Sequence, residues 1–117
     1  MDNKEFAKNL EYRTRQFGIS IIKLSSALPN LIEAKVIKNQ ITKSGTSIGA
    51  NYREANRSRS KRDFKNKIKI SESEASETEY WLEIIYDLNW IEVEKLNPLM
   101  KEAKELLALF TSISNKL

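Results

Sequence analysis

The sequence predicts an all-α protein, an antiparallel up-down-up-down four-helix bundle that forms one domain over residues 1–117. Three observations carry that expectation. Only three Gly and two Pro interrupt the chain, too little punctuation for the many tight turns of a β-sandwich or barrel. Apolar residues recur at steps of three and four in each of four long segments, the period of one helix face. The connections between those segments are short, which makes neighbouring helices antiparallel.

In the first segment Phe6, Leu10, Arg13, Phe17, Ile21, Leu24 and Leu28 step by 4, 3, 4, 4, 3 and 4. This spacing predicts a helix from Asn3 to Leu28, because Pro29 has no N–H with which to continue it. A second helix follows from Glu33 to Asn56, with Val36, Ile37, Ile41, Ile48, Tyr52 and Ala55 as its apolar positions. Its middle, Ser44-Gly45-Thr46-Ser47 with Gly49, has poor helix propensity, each glycine costing about 1 kcal/mol relative to Ala. We read these small residues as tolerated because they let another helix approach closely; the alternative is that Ser44-Gly45 ends one helix and a second begins.

The polar run Asn56-Arg57-Ser58-Arg59-Ser60 is a turn, with Ser58 or Ser60 capping a third helix from Lys61 to Leu88. Phe64, Ile68, Ser71, Ala75, Thr78, Leu82 and Ile85 form its stripe, small in the middle and large at both ends. Folding the chain back at residue 58 places Gly45 against Ser71, Gly49 against Ile68 and Ile41 against Ala75, so that small faces small between the second and third helices. Asn89 suits a left-handed helix end. The fourth stripe is Leu96, Leu99, Ala103, Leu106, Phe110, Ile113 and Leu117. Pro98 sits inside it, so this helix either kinks there or starts afresh with Asn97 as its cap.

Composition excludes several chemistries. With no Cys and no His, disulfides, thiol nucleophiles, Ser-His-Asp triads and the Glu-x-x-His metal sites of bundles are impossible. Gly45-x-x-x-Gly49 lacks the lysine of a phosphate loop. The expectation is therefore a protein without catalysis, cofactor or metal. The polar, acidic start is unlike a secretory signal, and no window approaches the length of a membrane span, so a cytoplasmic protein with no membrane contact is expected.

Charge is unevenly spread. From Arg53 to Lys69 there are eight basic residues and two acidic ones; from Ser71 to Glu94 there are eight acidic residues and no basic one. Arg53, Arg57, Arg59, Lys61, Arg62, Lys65 and Lys69 are the candidate nucleic-acid contacts, cations at helical spacing about a turn that can meet a phosphate backbone. The other reading of these residues is a solvated turn. The acidic half, with Glu72, Glu79, Glu83 and Asp87, either meets basic groups of a neighbouring subunit or partner, or faces water. Tyr12, Ile19, Ile22, Ile70, Tyr80, Trp81, Ile84 and Trp90 exceed what one core needs, which points to a subunit interface with Tyr80, Trp81 and Ile84 at its centre.

From Gln40 to Leu82 the sequence resembles the bacterial four-helix bundle proteins encoded by intervening sequences of large-subunit rRNA genes, often labelled ribosomal-protein-like on account of that gene location. The resemblance is carried by Gln40-Ile41, Ser44, Ser47-Ile48-Gly49-Ala50-Asn51, Glu54, Asp63-Phe64, and the Ser71–Leu82 helix with Glu74, Glu77 and Glu79. Members usually have Gly after the glutamate, where this chain has Ala55, which bears on the shape of the following turn. The resemblance implies a bundle that assembles as a ring, commonly a homopentamer. A related branch, the accessory variability determinants of diversity-generating retroelements, implies RNA or DNA and a reverse-transcriptase-like enzyme as partners. The combined expectation is a non-catalytic homo-oligomeric binding or scaffold protein; the alternative is a structural protein-protein adaptor that binds no nucleic acid.

Overall fold

A computed structural model describes residues 2–117. Four helices follow one another: α1 (Asn3–Ser26), α2 (Ile32–Asn56), α3 (Lys61–Asp87) and α4 (Val93–Asn115). Each packs on its chain neighbours, and α4 returns to lie beside α1, which makes the up-down-up-down bundle that the four stripes predict. The α1–α4 seam is the thinnest of the four.

The helix ends follow local chemistry. Asp2 Oδ1 accepts the Glu5 N–H at 2.8 Å and opens α1. Ser60 is the cap of α3, its Oγ accepting the Asp63 N–H at 3.0 Å. At the other end of α3, Asn89 has φ 57°, the Asn89 N–H bonds the Tyr86 carbonyl and the Trp90 N–H bonds the Ile85 carbonyl. This is a Schellman closure, with Asn in the left-handed position that Asn tolerates better than most residues.

Both open questions about continuity are answered. α2 runs unbroken through Ser44 to Gly49. α4 begins at Val93 and includes Pro98, which is exposed, so that water can serve the Glu94 carbonyl left without a helical donor.

The core is built from the predicted stripes, including Phe17, Ile21, Ile41, Ile48, Ile68, Leu82, Ile85, Leu96, Leu106 and Phe110. Tyr52 and Phe110 meet edge to face at a centroid distance of 5.4 Å, joining the diagonal helices α2 and α4. Three stripe positions differ from expectation. Phe6, in the first turns of α1, is exposed at 39%, and Val36 is exposed at 56% because the buried face of α2 runs through Ala34, Ile37 and Ile41 and leaves Val36 to one side. Leu117 is exposed at the end of the chain. Arg13 interrupts the α1 stripe at the seam with α4. Its guanidinium donates to both carboxylate oxygens of Glu102 at 2.6 Å and to Glu105 at 2.8 Å.

The expected pairing of small residues between α2 and α3 is corrected. The glycines of α2 face α1: a Cβ on Gly45 would meet Ile21, and one on Gly49 would meet Thr14. Gly18 of α1 approaches Thr46 in the same seam. Against α3 the small residues make two buried hydrogen bonds. Ser71 Oγ donates to the Ile48 carbonyl at 2.9 Å, and Thr78 Oγ1 is hydrogen-bonded to Ser44 Oγ at 2.9 Å. The facing register is thus shifted from the predicted one by about a helical turn. No buried side-chain nitrogen or oxygen among the described residues lacks a partner.

Candidate functional site

The cationic turn is held by its own serines. Ser58 Oγ donates to the Ala55 carbonyl at 2.6 Å and covers the end of α2, while Ser60 opens α3 three residues before Asp63. No residue of the turn has a positive φ, so the Ala55 position needs no glycine; its side chain is buried instead.

This geometry sorts the seven candidate cations. Arg59, Lys61, Arg62 and Lys65 line one concavity of about 790 Å³, together with Ser58 and Ser60. Lys116 and Leu117 complete it from the end of α4, and the half-buried Phe64 lies in its wall. Arg57 is exposed at the end of α2. Arg53 points elsewhere, to a groove between α1 and α2 that also holds Lys8 and Arg15. Lys69 lies farther along α3, beside Glu72, Glu77 and Tyr80. Among the described residues, Lys67 is the only one of the eight basic residues from Arg53 to Lys69 in an ion pair, with Glu54 at 3.7 Å.

Sequence reasoning missed Lys116, which lies more than fifty residues beyond the turn. The signal was present in the topology: α4 runs antiparallel to α3 and is of similar length, so its last residues return to the first turn of α3. It also assigned Phe64 wholly to the core, leaving the cations without an aromatic neighbour. Phe64 packs on the core and borders the concavity as well.

Of the residues chosen for a subunit interface, Tyr80 is 56% exposed, and Trp81 and Ile84 are half-buried. Tyr80 and Trp81 form an edge-to-face pair at 5.1 Å, and the Trp81 indole N–H donates to Glu77 at 3.0 Å. Trp81 also packs on the core, so part of its surface is already used within the chain. The acidic half of α3 has one perturbed carboxyl. Burial pushes Glu74 up from its ordinary value, Glu77 adds to the shift and Lys43 opposes it. Among the described residues no three Asp or Glu are grouped as a metal site, and no helix is long and apolar enough to cross a membrane.

Fold and site together define a class, the small helical bundle with a cationic end. The chain belongs to the 23S rRNA-intervening sequence protein family, whose model matches residues 8–112. A solved structure from Bacteroides thetaiotaomicron, described as a protein with unknown function from the S23 ribosomal protein family, is similar to it. The two are 38% identical, the match covers 89% of this chain and 96% of the other, and the TM-score is 0.82. No curated protein matches the chain.

Proposed function

We propose that this chain is a non-catalytic binding protein that holds nucleic acid by its phosphate backbone at the α2–α3 end of the bundle. It presents that end several times over by assembling with copies of itself, as a ring. The observation that supports the reading is the concavity in which Arg59, Lys61, Arg62, Lys65 and Lys116 converge with no carboxylate among the described residues paired to any of them. Five uncompensated cations around one depression attract a polyanion and gain from releasing its counterions. Phe64 and Leu117 add an apolar wall that suits an unpaired base better than a duplex. Copies arranged in a ring would sum weak contacts through effective concentration. An enzyme that acts on nucleic acid is the protein partner that fits this reading.

The test is size-exclusion chromatography with light scattering, with and without a mixed RNA and DNA pool, at low and moderate salt. The protein is expected to assemble and to co-elute with nucleic acid at low salt. It is expected to lose that nucleic acid as salt rises and when Arg57, Arg59 and Lys61 are replaced by Ala. Replacing Lys116 alone should weaken binding without changing assembly. An assembly that ignores nucleic acid at low salt overturns the reading. The exposed Tyr80 and Tyr12 favour a second function in that event, a protein-protein adaptor whose affinity is insensitive to salt.

A further inference from the structure

Two surfaces on opposite sides of the bundle are complementary. On one side α1 and α2 enclose a groove of about 500 Å³. Its apolar side chains are Tyr12, Ile19 and Ile22, exposed by 58%, 40% and 46%, and its floor is Gly18, Gly49 and Ala50. A floor with so little side chain admits a projecting group close to the backbone. The groove carries Lys8, Arg15 and Arg53 against the single acid Glu11, and Glu11 is already engaged by the Asn56 amide at 2.9 Å. Arg15 lies over the Tyr12 ring at 5.7 Å, which leaves its guanidinium on the rim.

On the other side, where α3 meets α4, Tyr80 projects with 56% of its surface exposed. The small Ser73 and Ser76 lie beside it, so it stands above its surroundings as a knob. Glu72 and Glu77 lie beside it together with Lys69, and Glu79 and Glu83 flank it in the chain on a stretch of α3 that has no cation after Lys69.

We propose that the groove between α1 and α2 receives the Tyr80 knob of a second copy of this chain, with Arg15 and Arg53 facing that copy's α3 carboxylates. The proposal rests on the self-assembly reading above and specifies which faces carry it. Charge favours this pairing: groove against groove would oppose cations, and knob against knob would oppose carboxylates. Because the two faces differ and lie on opposite sides, the contact is heterologous. Each chain gives a knob to one neighbour and takes one from the other, which generates a closed ring if the rotation closes. The cationic α2–α3 end lies outside both surfaces and stays free in the assembly.

A complementation experiment tests this. Ile19→Asp removes the groove and Tyr80→Asp removes the knob, both at exposed positions, with folding followed by circular dichroism. Each variant alone is expected to be monomeric by light scattering. Mixed in equal amounts they should form a species of two chains and nothing larger, since one intact groove and one intact knob remain to meet. If either variant fails to fold, Ile22→Asp and Glu83→Lys replace the pair. Variants that still assemble, or a mixture that stays monomeric, overturn the assignment of faces while leaving self-assembly intact. A monomeric parent chain overturns the self-assembly reading, and this inference with it.

Discussion

A Cβ placed on Gly45 of α2 would lie 2.8 Å from Ile21 Cγ2 and 3.0 Å from Ile21 Cβ and Cγ1. Ile21 is fully buried and its contacting atoms are the branch point of the side chain, which a rotamer change cannot clear. Gly45→Ala should therefore destabilise the bundle by about 1 to 3 kcal/mol of overpacking, reduced by about 1 kcal/mol of gained helix propensity. Gly18 is the internal control. Its added Cβ would sit 3.5 Å from Thr46 Cα, an ordinary contact, so Gly18→Ala should be neutral or stabilising by up to about 1 kcal/mol. Urea unfolding of the two variants beside the parent checks both signs.

The Arg13 fork across the α1–α4 seam predicts a salt-sensitive contribution. Hydrogen bonding to Glu102 is the largest influence on the guanidinium and raises its pKa, partial desolvation opposes it, and Glu105 adds. The pair is partly screened by water, with 36% of the Arg13 side chain and 27% of the Glu102 side chain exposed. Arg13→Met keeps the aliphatic stem and should cost about 1 kcal/mol at low salt. Most of that difference should vanish in about 1 M salt, where screening reaches only a few ångströms. Denaturant midpoints measured at both salt concentrations give the comparison.

Glu74 predicts an unusual pH dependence. Its carboxyl is raised above the ordinary 4.5, so the fold prefers the protonated form. The stabilising contribution is present in full below the unfolded-state value and is lost as pH rises through the raised folded value. At neutral pH the ionised group opposes folding. Glu74→Gln should therefore be the more stable protein at pH 7, and the advantage should close as pH falls below the ordinary carboxylate range. Thermal unfolding of both proteins from pH 4 to pH 7 reads it directly.

The left-handed Asn89 predicts a graded series. Asn89→Gly should be close to neutral, because glycine adopts φ 57° without strain. Asn89→Ala should cost about 1 kcal/mol, and Asn89→Val more, since a branched side chain clashes in that region. Melting temperatures that fall in the order Gly, Ala, Val support the Schellman closure as the origin of the sharp end of α3.

Much of this architecture was legible in the residues. The stripes gave the number, order and extent of the helices, since burial of one face imposes the 3.6-residue period wherever a helix has a core to cover. Ser60 and Asn89 were readable as helix ends because each performs a local function, donating or accepting within a few residues of itself. The continuity of α2 followed from reading its small residues as a close-approach face, whereas that of α4 through Pro98 was left open, because proline lowers local helix stability by an amount that only packing can outweigh. Val36 was assigned inward because Ala34, whose small side chain adds little to an apolar pattern, was not recognised as the buried position of that turn.

The sequence by itself determined four helices, their order, and the position of a cationic turn between the second and third. The tertiary structure alone decided which neighbour each face meets. The α2 glycines serve α1 rather than α3, because periodicity says which residues share a face while azimuth and register arise only when all four helices pack together. The same step brought Lys116 beside Arg59 and Lys61 and sent Arg53 to the α1–α2 groove. A site assembled from residues far apart in the chain exists only after the helices have chosen their partners.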